Sequence, residues 1–422
     1  MKKTGFLLLL VSLLNLALAN SVLAQAGPGQ YTEEAPLGSW NTPGPQTAPA
    51  LGSGFSELTR GHASSVVYTN PALLGLLPSV SLSLTGSYNQ IQLFRYWLVN
   101  TGVIYTSGNL TWRGFQFEHF GASCRSGNWT LAVGMALIEN YGRPGVDYRQ
   151  LSSGIIYHRL TISQSGIQTG YSIGLARSFR EKLYLGISFI YYRGSTARHL
   201  EEIWPQSEIQ LSDWRDQKIS GFYPVFGAFY KIGSLYFLGF SLTPPHRKKV
   251  TGESLLTYTT PATEIRINGE ARDVIKQPFR VGFGGKVLVN REIQLSLEAM
   301  YSDWKHYSFY YFGEEQNRNF RSTVRLSAGF EYNGKFRLFG RSWLAPYFAG
   351  LAVDPQPDAE VRSTYYYLTF GSGAGNESFR LTFSTALAFE SGSGNHLKRN
   401  KISLTLDLYP DRFKKSSREN NR

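Results

Sequence analysis

Seven histidines (His62, His119, His158, His199, His246, His306 and His396) and one cysteine, Cys124, are the residues from which metal or nucleophilic chemistry would have to be built. No two of the histidines share a strand face at the spacing a metal ion requires, and a lone cysteine makes neither an intrachain disulfide nor a thiolate cluster. The sequence contains no Gly-x-Ser-x-Gly elbow, no Walker-type phosphate loop and no dinucleotide fingerprint. A hydrolase carried on a sheet would set serine beside histidine on neighbouring strand positions. His158 and His306 are available for that, but roles in loops suit them better. No catalytic residue, metal or cofactor is therefore expected, and the chain reads as a non-enzyme. What remains is the chemistry of charge and shape. In the register assigned below, the cations Arg177, Arg280, Lys286 and Arg325 fall on the polar faces of alternating segments. Gly61 opens a stretch of short side chains that ends in the compact turn Asn70-Pro71-Ala72, where proline fixes its own φ and asparagine can bond the backbone two residues on.

Those residues need elements to hold them, and residues 60–90 show which kind. The first half of that stretch is non-periodic. The second half alternates, with Val80, Leu82 and Leu84 on one face and Ser81, Ser83 and Thr85 on the other. A period of two is the signature of a half-buried strand. The same pattern returns to the end of the chain, over about 79–90, 109–122, 129–139, 167–179, 183–196, 219–232, 235–243, 278–289, 292–305, 322–333, 342–352, 361–371, 377–391 and 399–409. That makes fourteen strands, an even number, as single-chain bacterial barrels have. Tight turns (Arg180-Glu181-Lys182, Gly233-Ser234, Asn290-Arg291) alternate with long connections (140–166, 197–218, 244–277). Sorting of turns by parity is expected of a transmembrane barrel with short turns on the periplasmic side and loops outside. In 292–302, Ile293, Leu295, Leu297, Ala299 and Tyr301 oppose Gln294, Ser296, Glu298 and Ser302, which predicts a lipid-facing wall around a polar lumen. Trp129, Tyr171, Trp304 and Tyr409 are candidates for interfacial girdles.

The chain has 422 residues, 42% of them hydrophobic, with Tyr 26 and Phe 27. Its start, Met1-Lys2-Lys3, an apolar run from Phe6 to Ala19 and Val22-Leu23-Ala24, reads as a signal peptide over 1–24. No later run reaches the roughly 20 apolar residues of a membrane helix. Residues 25–50 read as a Pro- and Gly-rich linker, 51–78 as a plug, 79–410 as the barrel and 411–422 as a basic tail. Localisation in a Gram-negative-type outer membrane follows, with membrane lipids, lipopolysaccharide and the barrel-assembly machinery as partners. The net charge of +13 comes without a basic helix or an RNP-like motif, so nucleic acid is not an expected partner. The scattered cations, among them Arg193, Arg198 and Arg247-Lys248-Lys249, can face lipid headgroups, draw in anions or simply be solvated.

At Asn70-Pro71-Ala72-Leu73 the sequence resembles the FadL/TodX family of outer-membrane transporters for long-chain fatty acids and other hydrophobic compounds. Two further stretches carry the resemblance: Pro278-Phe279-Arg280-Val281-Gly282-Phe283-Gly284, and the strand from Leu295 to Asp303-Trp304. The likeness covers about residues 52–410. It implies a fourteen-stranded barrel, all β, with an N-terminal hatch inside the lumen, and uptake of a hydrophobic or amphipathic small molecule by hatch-gated passive diffusion. On this reading Gly61, Asn70, Pro71 and Ala72 belong to the gate, and Arg177, Arg280, Lys286 and Arg325 are candidates to meet an acidic cargo. The competing assignment pairs these cations with Glu298, Glu331 or Asp407 in a lumen network. The alternative function is a hatch-bearing barrel that serves as a partner subunit in protein secretion or surface attachment.

Overall fold

The computed structural model describes residues 45–61, 63–93, 96–100, 103–107, 110–142, 146–311, 314–316, 319–338, 341–359, 362–392 and 398–411. The expected signal peptide, most of the linker and the tail beyond residue 411 lie outside the described residues.

Fourteen antiparallel strands form the wall. They are β1 (Val80–Leu93), β2 (Leu110–Ser126), β3 (Trp129–Asn140), β4 (Ile155–Phe179), β5 (Leu183–Trp204), β6 (Ile209–Ile232) and β7 (Tyr236–Thr243), followed by β8 (Arg280–Leu288), β9 (Ile293–Ser302), β10 (Thr323–Leu338), β11 (Arg341–Pro355), β12 (Thr364–Gly375), β13 (Phe379–Ser391) and β14 (Lys398–Leu408). Each strand pairs with the next in the chain, and β14 returns to β1 in the register Leu82↔Leu408 to Gln92↔Lys398, which closes the sheet and leaves the wall no free edge. Every one of the fourteen alternating segments read from the sequence corresponds to one wall strand. The alternation has its expected sense: Ser81, Ser83, Thr85, Ser87 and Asn89 of β1 are buried, while Leu84, Phe120, Ile173, Leu185, Phe226, Phe283, Leu297 and Phe383 point outward and are exposed. Water would not tolerate an apolar surface continued over so many strands, whereas lipid requires it. On β6 the outward residues run from Phe222 to Ile232, about 33 Å of strand or ~25 Å of height at a 40° tilt, the thickness of an outer-membrane band.

Three strands are far longer than that band. β4 has 25 residues, β5 has 22 and β6 has 24, where a spanning strand needs about 9–11. The surplus projects beyond the loop end of the barrel as a sheet. On the far side of β6 it is widened by the hairpin His246–Thr259 with Glu264–Gln277, and beside β4 by the short strand Val146–Ser152. The stretches expected to be long loops at 140–166, 197–218 and 244–277 are therefore largely sheet, and 197–218 contains only the four-residue turn 205–208. A strand with no face toward lipid carries no unbroken apolar stripe, so its sequence imitates a loop.

The lumen is occupied by the described residues that precede β1. Residues 45–61 and 63–79 form a short helix, α1 (Ala48–Gly52), then 3₁₀ turns at Ser64–Tyr68 and Pro71–Leu76, nearly all of it buried. Residues 45–50, assigned to the linker from composition, are part of this packed segment. Val66, Val67, Tyr68, Leu73, Leu74 and Leu77 pack against Ala132, Ala136, Ala176, Ile190, Val225 and Phe229 of the wall. Small inward residues on β3 and β4 leave the space that this apolar cluster fills.

Candidate lumen site

Asn70 is wholly buried and holds three parts of the molecule together. Its Oδ1 accepts from the Ala72 amide at 3.2 Å, while its Nδ2 donates to the Leu58 carbonyl at 2.7 Å and to the Ala228 carbonyl of β6 at 3.2 Å. The backbone at Asn70 is extended (φ −138°, ψ 91°), as a residue before proline prefers. Two wall glycines admit this turn. A Cβ at Gly227 would lie 2.1 Å from Asn70 Oδ1, and one at Gly186 would lie 2.4 Å from the Ala72 nitrogen and from the Pro71 carbonyl carbon. Pro71 and Ala72 thus rest directly on the backbone of β5 and β6. Gly61 plays the same part within the segment, since a Cβ there would stand 3.0 Å from the Leu73 carbonyl.

Polar wall residues fasten the rest of the segment. The Glu298 carboxylate accepts from the amides of Glu57, Leu58 and Thr59 at 2.9–3.1 Å and from the Thr59 hydroxyl. Arg60 pairs with Glu331 of β10 at 2.9 Å, both side chains being about 1% exposed. Higher in the chain, Ser384 donates to the Ala48 carbonyl and Thr369 to that of Gly52. These wall partners supply the hydrogen bonds that the backbone of a buried non-helical segment must find.

The candidate cations divide. Arg280, Lys286 and Arg325 lie on lumen-facing positions of β8 and β10, whereas Arg177 does not. Ser172, Gly174, Ala176 and Ser178 take the inward positions of β4, so Arg177 points outward and is exposed beside the short turn at 180–182, its guanidinium 4.9 Å from the rings of Trp129 and Phe179. This is a long cation reaching for the interface past its aromatic neighbours. The three lumen cations each sit over a ring: Arg280 over Trp304 at 5.6 Å, Lys286 over Phe237 at 4.7 Å and Arg325 over Phe55 at 5.8 Å. None of the three forms an ion pair with a carboxylate among the described residues. Glu331 meets Arg60 and Glu298 accepts from the segment's amides, while Lys286 stands in electrostatic range of both carboxylates.

Above the turn lies a cluster that alternation alone does not disclose. Tyr141, Tyr192, Ile219, Val250 and Ile275 pack together, with Tyr223 and Tyr307 against them. His246 stacks on Tyr223 at 4.6 Å. Lys248 pairs with Glu139 at 2.9 Å, and Glu139 also accepts from the Tyr141 hydroxyl. Arg280 stands in electrostatic range of Glu139, Tyr192 and Tyr223. The available signal was aromatic residues such as Tyr192 and Tyr223 on inward strand faces interrupted by glycines, Gly186 and Gly194 on β5 and Gly221 and Gly227 on β6. Trp304 and Tyr409, expected in a girdle, are buried instead. Trp304 opens a 3₁₀ turn at the outer end of β9. The Asp303 carboxylate before it accepts from Ser322 at 2.8 Å and from His306 at 2.6 Å. The Ser322 hydroxyl, ahead of His306, holds that carboxyl below its usual range.

No protein-family model matches the chain, and no curated protein matches it. Solved structures do. The Ralstonia pickettii toluene transporter TbuX superposes with a TM-score of 0.62 at 15% identity, over 87% of this chain and 98% of that one. The Pseudomonas putida toluene transporter TodX gives 0.60 at 14% identity, over 87% and 98%. The monoaromatic hydrocarbon channel CymD gives 0.59 at 14% identity, over 86% and 96%. The chain thus shares the fold of these hydrocarbon channels, the fold implied by its resemblance at Asn70-Pro71-Ala72.

Proposed function

We propose that the protein is an outer-membrane channel for the uptake of small hydrophobic molecules, those carrying an acid group included, and that residues 45–79 are its hatch. The loop end faces outward on this reading, and the short turns face the periplasm. One observation carries the proposal: an aromatic cluster (Tyr141, Tyr192, Tyr223, Tyr307) stands directly over a plug held by discrete bonds, with Arg280, Arg325 and Lys286 lying over rings and in no ion pair with a carboxylate among the described residues. An apolar body can lie against tyrosine and isoleucine while an acid group finds a guanidinium. The likeness in fold to a toluene transporter and a monoaromatic hydrocarbon channel supports the apolar part of the cargo. Passage requires the hatch to give way, and the fastenings at Asn70, Glu298 and Arg60 set how readily it does so.

Purified protein titrated with toluene, benzoate, a long-chain fatty acid and an oligosaccharide tests this, with Arg280→Met and Arg325→Met as variants. Wild-type protein should bind the apolar compounds in the micromolar range, on the order of 8 kcal/mol. The variants should lose about tenfold for the acids and keep toluene. Equal loss for toluene and benzoate would remove the acid-binding role, and saturable binding of the oligosaccharide alone would remove the proposal.

A further inference from the structure

At the loop end of β4–β6 the outward side chains form level rows across the sheet. Tyr171, Tyr191 and Phe222 are registered side by side and are 40%, 49% and 53% exposed. Such a row marks the level where hydrocarbon gives way to headgroups. At that level and one step above it, the outward positions turn basic. Arg193 is level with Ser220, and Ser220 with Lys249. Arg247 stands directly opposite Lys276. All four cations are exposed, and none has a carboxylate partner among the described residues. Arg193 leans back over the Tyr171 ring at 5.9 Å. The next row up adds Lys218 and Arg272, and the one beyond is acidic, with Asp216, Glu253 and Glu270 registered together. The basic band therefore starts at the aromatic row and ends two rows above it, where the acidic row begins.

Two cations directly opposite on a ladder repel, and so do Arg247 and Lys249 two residues apart on one face. An anion between them turns that cost into a site. We propose that this band binds the phosphates of a bis-phosphorylated glycolipid of the outer leaflet. Its position at and just above the aromatic row is the phosphate level of a lipid whose chains lie along Ile173, Phe189 and Phe226. The band has two centres, Arg193 on one side and Arg247, Lys249 and Lys276 on the other. Arg193 and Lys249 are two strand spacings apart, about 10 Å, which suits a headgroup with more than one phosphate. The inference rests on outer-membrane placement and is independent of the cargo.

The test uses full-length protein in detergent, with native mass spectrometry and titration against bis-phosphorylated lipid A, dephosphorylated lipid A and inorganic pyrophosphate. Wild-type protein should favour the phosphorylated lipid by about a hundredfold. The triple variant Arg247→Ser, Lys249→Ser, Lys276→Ser should abolish that preference. Lys276→Ser alone, which also relieves the opposed pair, should lose part of it. Arg177→Ser, at the opposite end of the wall, should bind as wild type, and toluene binding should be unchanged throughout. Equal affinity for the two lipids, or an unaltered triple variant, overturns the proposal. Pyrophosphate binding as tightly as the lipid overturns the lipid assignment in favour of a free anion.

Discussion

Asn70 does three jobs with one side chain, and substitutions can separate them. Asn70→Ala removes the Oδ1 acceptor for Ala72 and the Nδ2 donor to Leu58 and Ala228. It leaves those buried groups unpaired at roughly 1–3 kcal/mol each. Asn70→Asp retains the acceptor and loses the donor. Both variants should reach the membrane with normal yield and normal heat-modifiability, because no strand ladder depends on Asn70. Hydrogen exchange across residues 57–77 should rise in both and rise further in Asn70→Ala, and small-solute permeability should follow the same order. Low yield with unchanged permeability per molecule would make Asn70 an assembly residue and not part of a gate. Gly227→Ala approaches the same contact from the wall: its Cβ would stand 2.1 Å from Asn70 Oδ1, so it should reproduce the Asn70 phenotype from β6. The pattern Asn-Pro-Ala was legible in the sequence as a turn. Its receptor was not, because a glycine that accepts another backbone looks the same in sequence as a glycine in a bend.

Among the elements, legibility followed the solvent. Where a strand separates lipid from lumen, as in β9 and β14, alternation is complete and the segments are readable to within a few residues. Where β4, β5 and β6 rise beyond the membrane, neither face meets lipid, and both carry polar residues. Charged residues such as Arg198, Glu201, Asp213 and Lys218 there share their faces with Leu200, Leu211 and Trp214 and break the apolar stripe, so 197–218 read as a loop although it is a hairpin of paired strands. Arg177 was misplaced for a related reason: beside a tight turn, a long cation on the lipid face can reach water, and polarity there no longer reports the lumen. The hairpin 246–277 should be correspondingly dispensable to the barrel. Gly252 and Ala271 are directly paired, and Val250 below them belongs to the tyrosine cluster. Replacing residues 253–270 by an Asn-Gly turn therefore shortens the sheet while keeping both register and cluster. That variant should assemble, keep its heat-modifiability and bind toluene as wild type. Failure to assemble would mean that the outer sheet nucleates β6–β8, and loss of toluene binding alone would place part of the site in the deleted tip.

The wall is a closed ladder around a lumen, and three of the lumen's carboxylates are buried in ion pairs. Glu118 of β2 and Lys401 of β14 meet at 2.6 Å across the lumen side of β1, at 4% and 7% side-chain exposure. Glu118 also accepts from Ser87 of β1 at 2.6 Å. The pair therefore joins the three strands at which the barrel closes, β14, β1 and β2. Arg60–Glu331 joins plug to wall, and Lys248–Glu139 joins the outer hairpin to β3. A buried pair contributes little by existing, since desolvation offsets most of the attraction, but removing one partner strands the other at a cost of about 3–5 kcal/mol. Glu118→Ala should accordingly lower the temperature at which the barrel loses its folded electrophoretic mobility. Arg60→Ala should lower it less and instead raise hydrogen exchange in residues 45–79, because its partner fixes the plug and not the closure. The double variant Glu118→Met, Lys401→Met, which replaces both charges by apolar groups of similar length, should recover most of the lost temperature. Were the double variant as unstable as Glu118→Ala, the pair itself would be holding the seam. Recovery would show that closure is carried by the β14–β1 ladder, with Glu118 and Lys401 matched to each other so that neither of these two is left buried and unpaired.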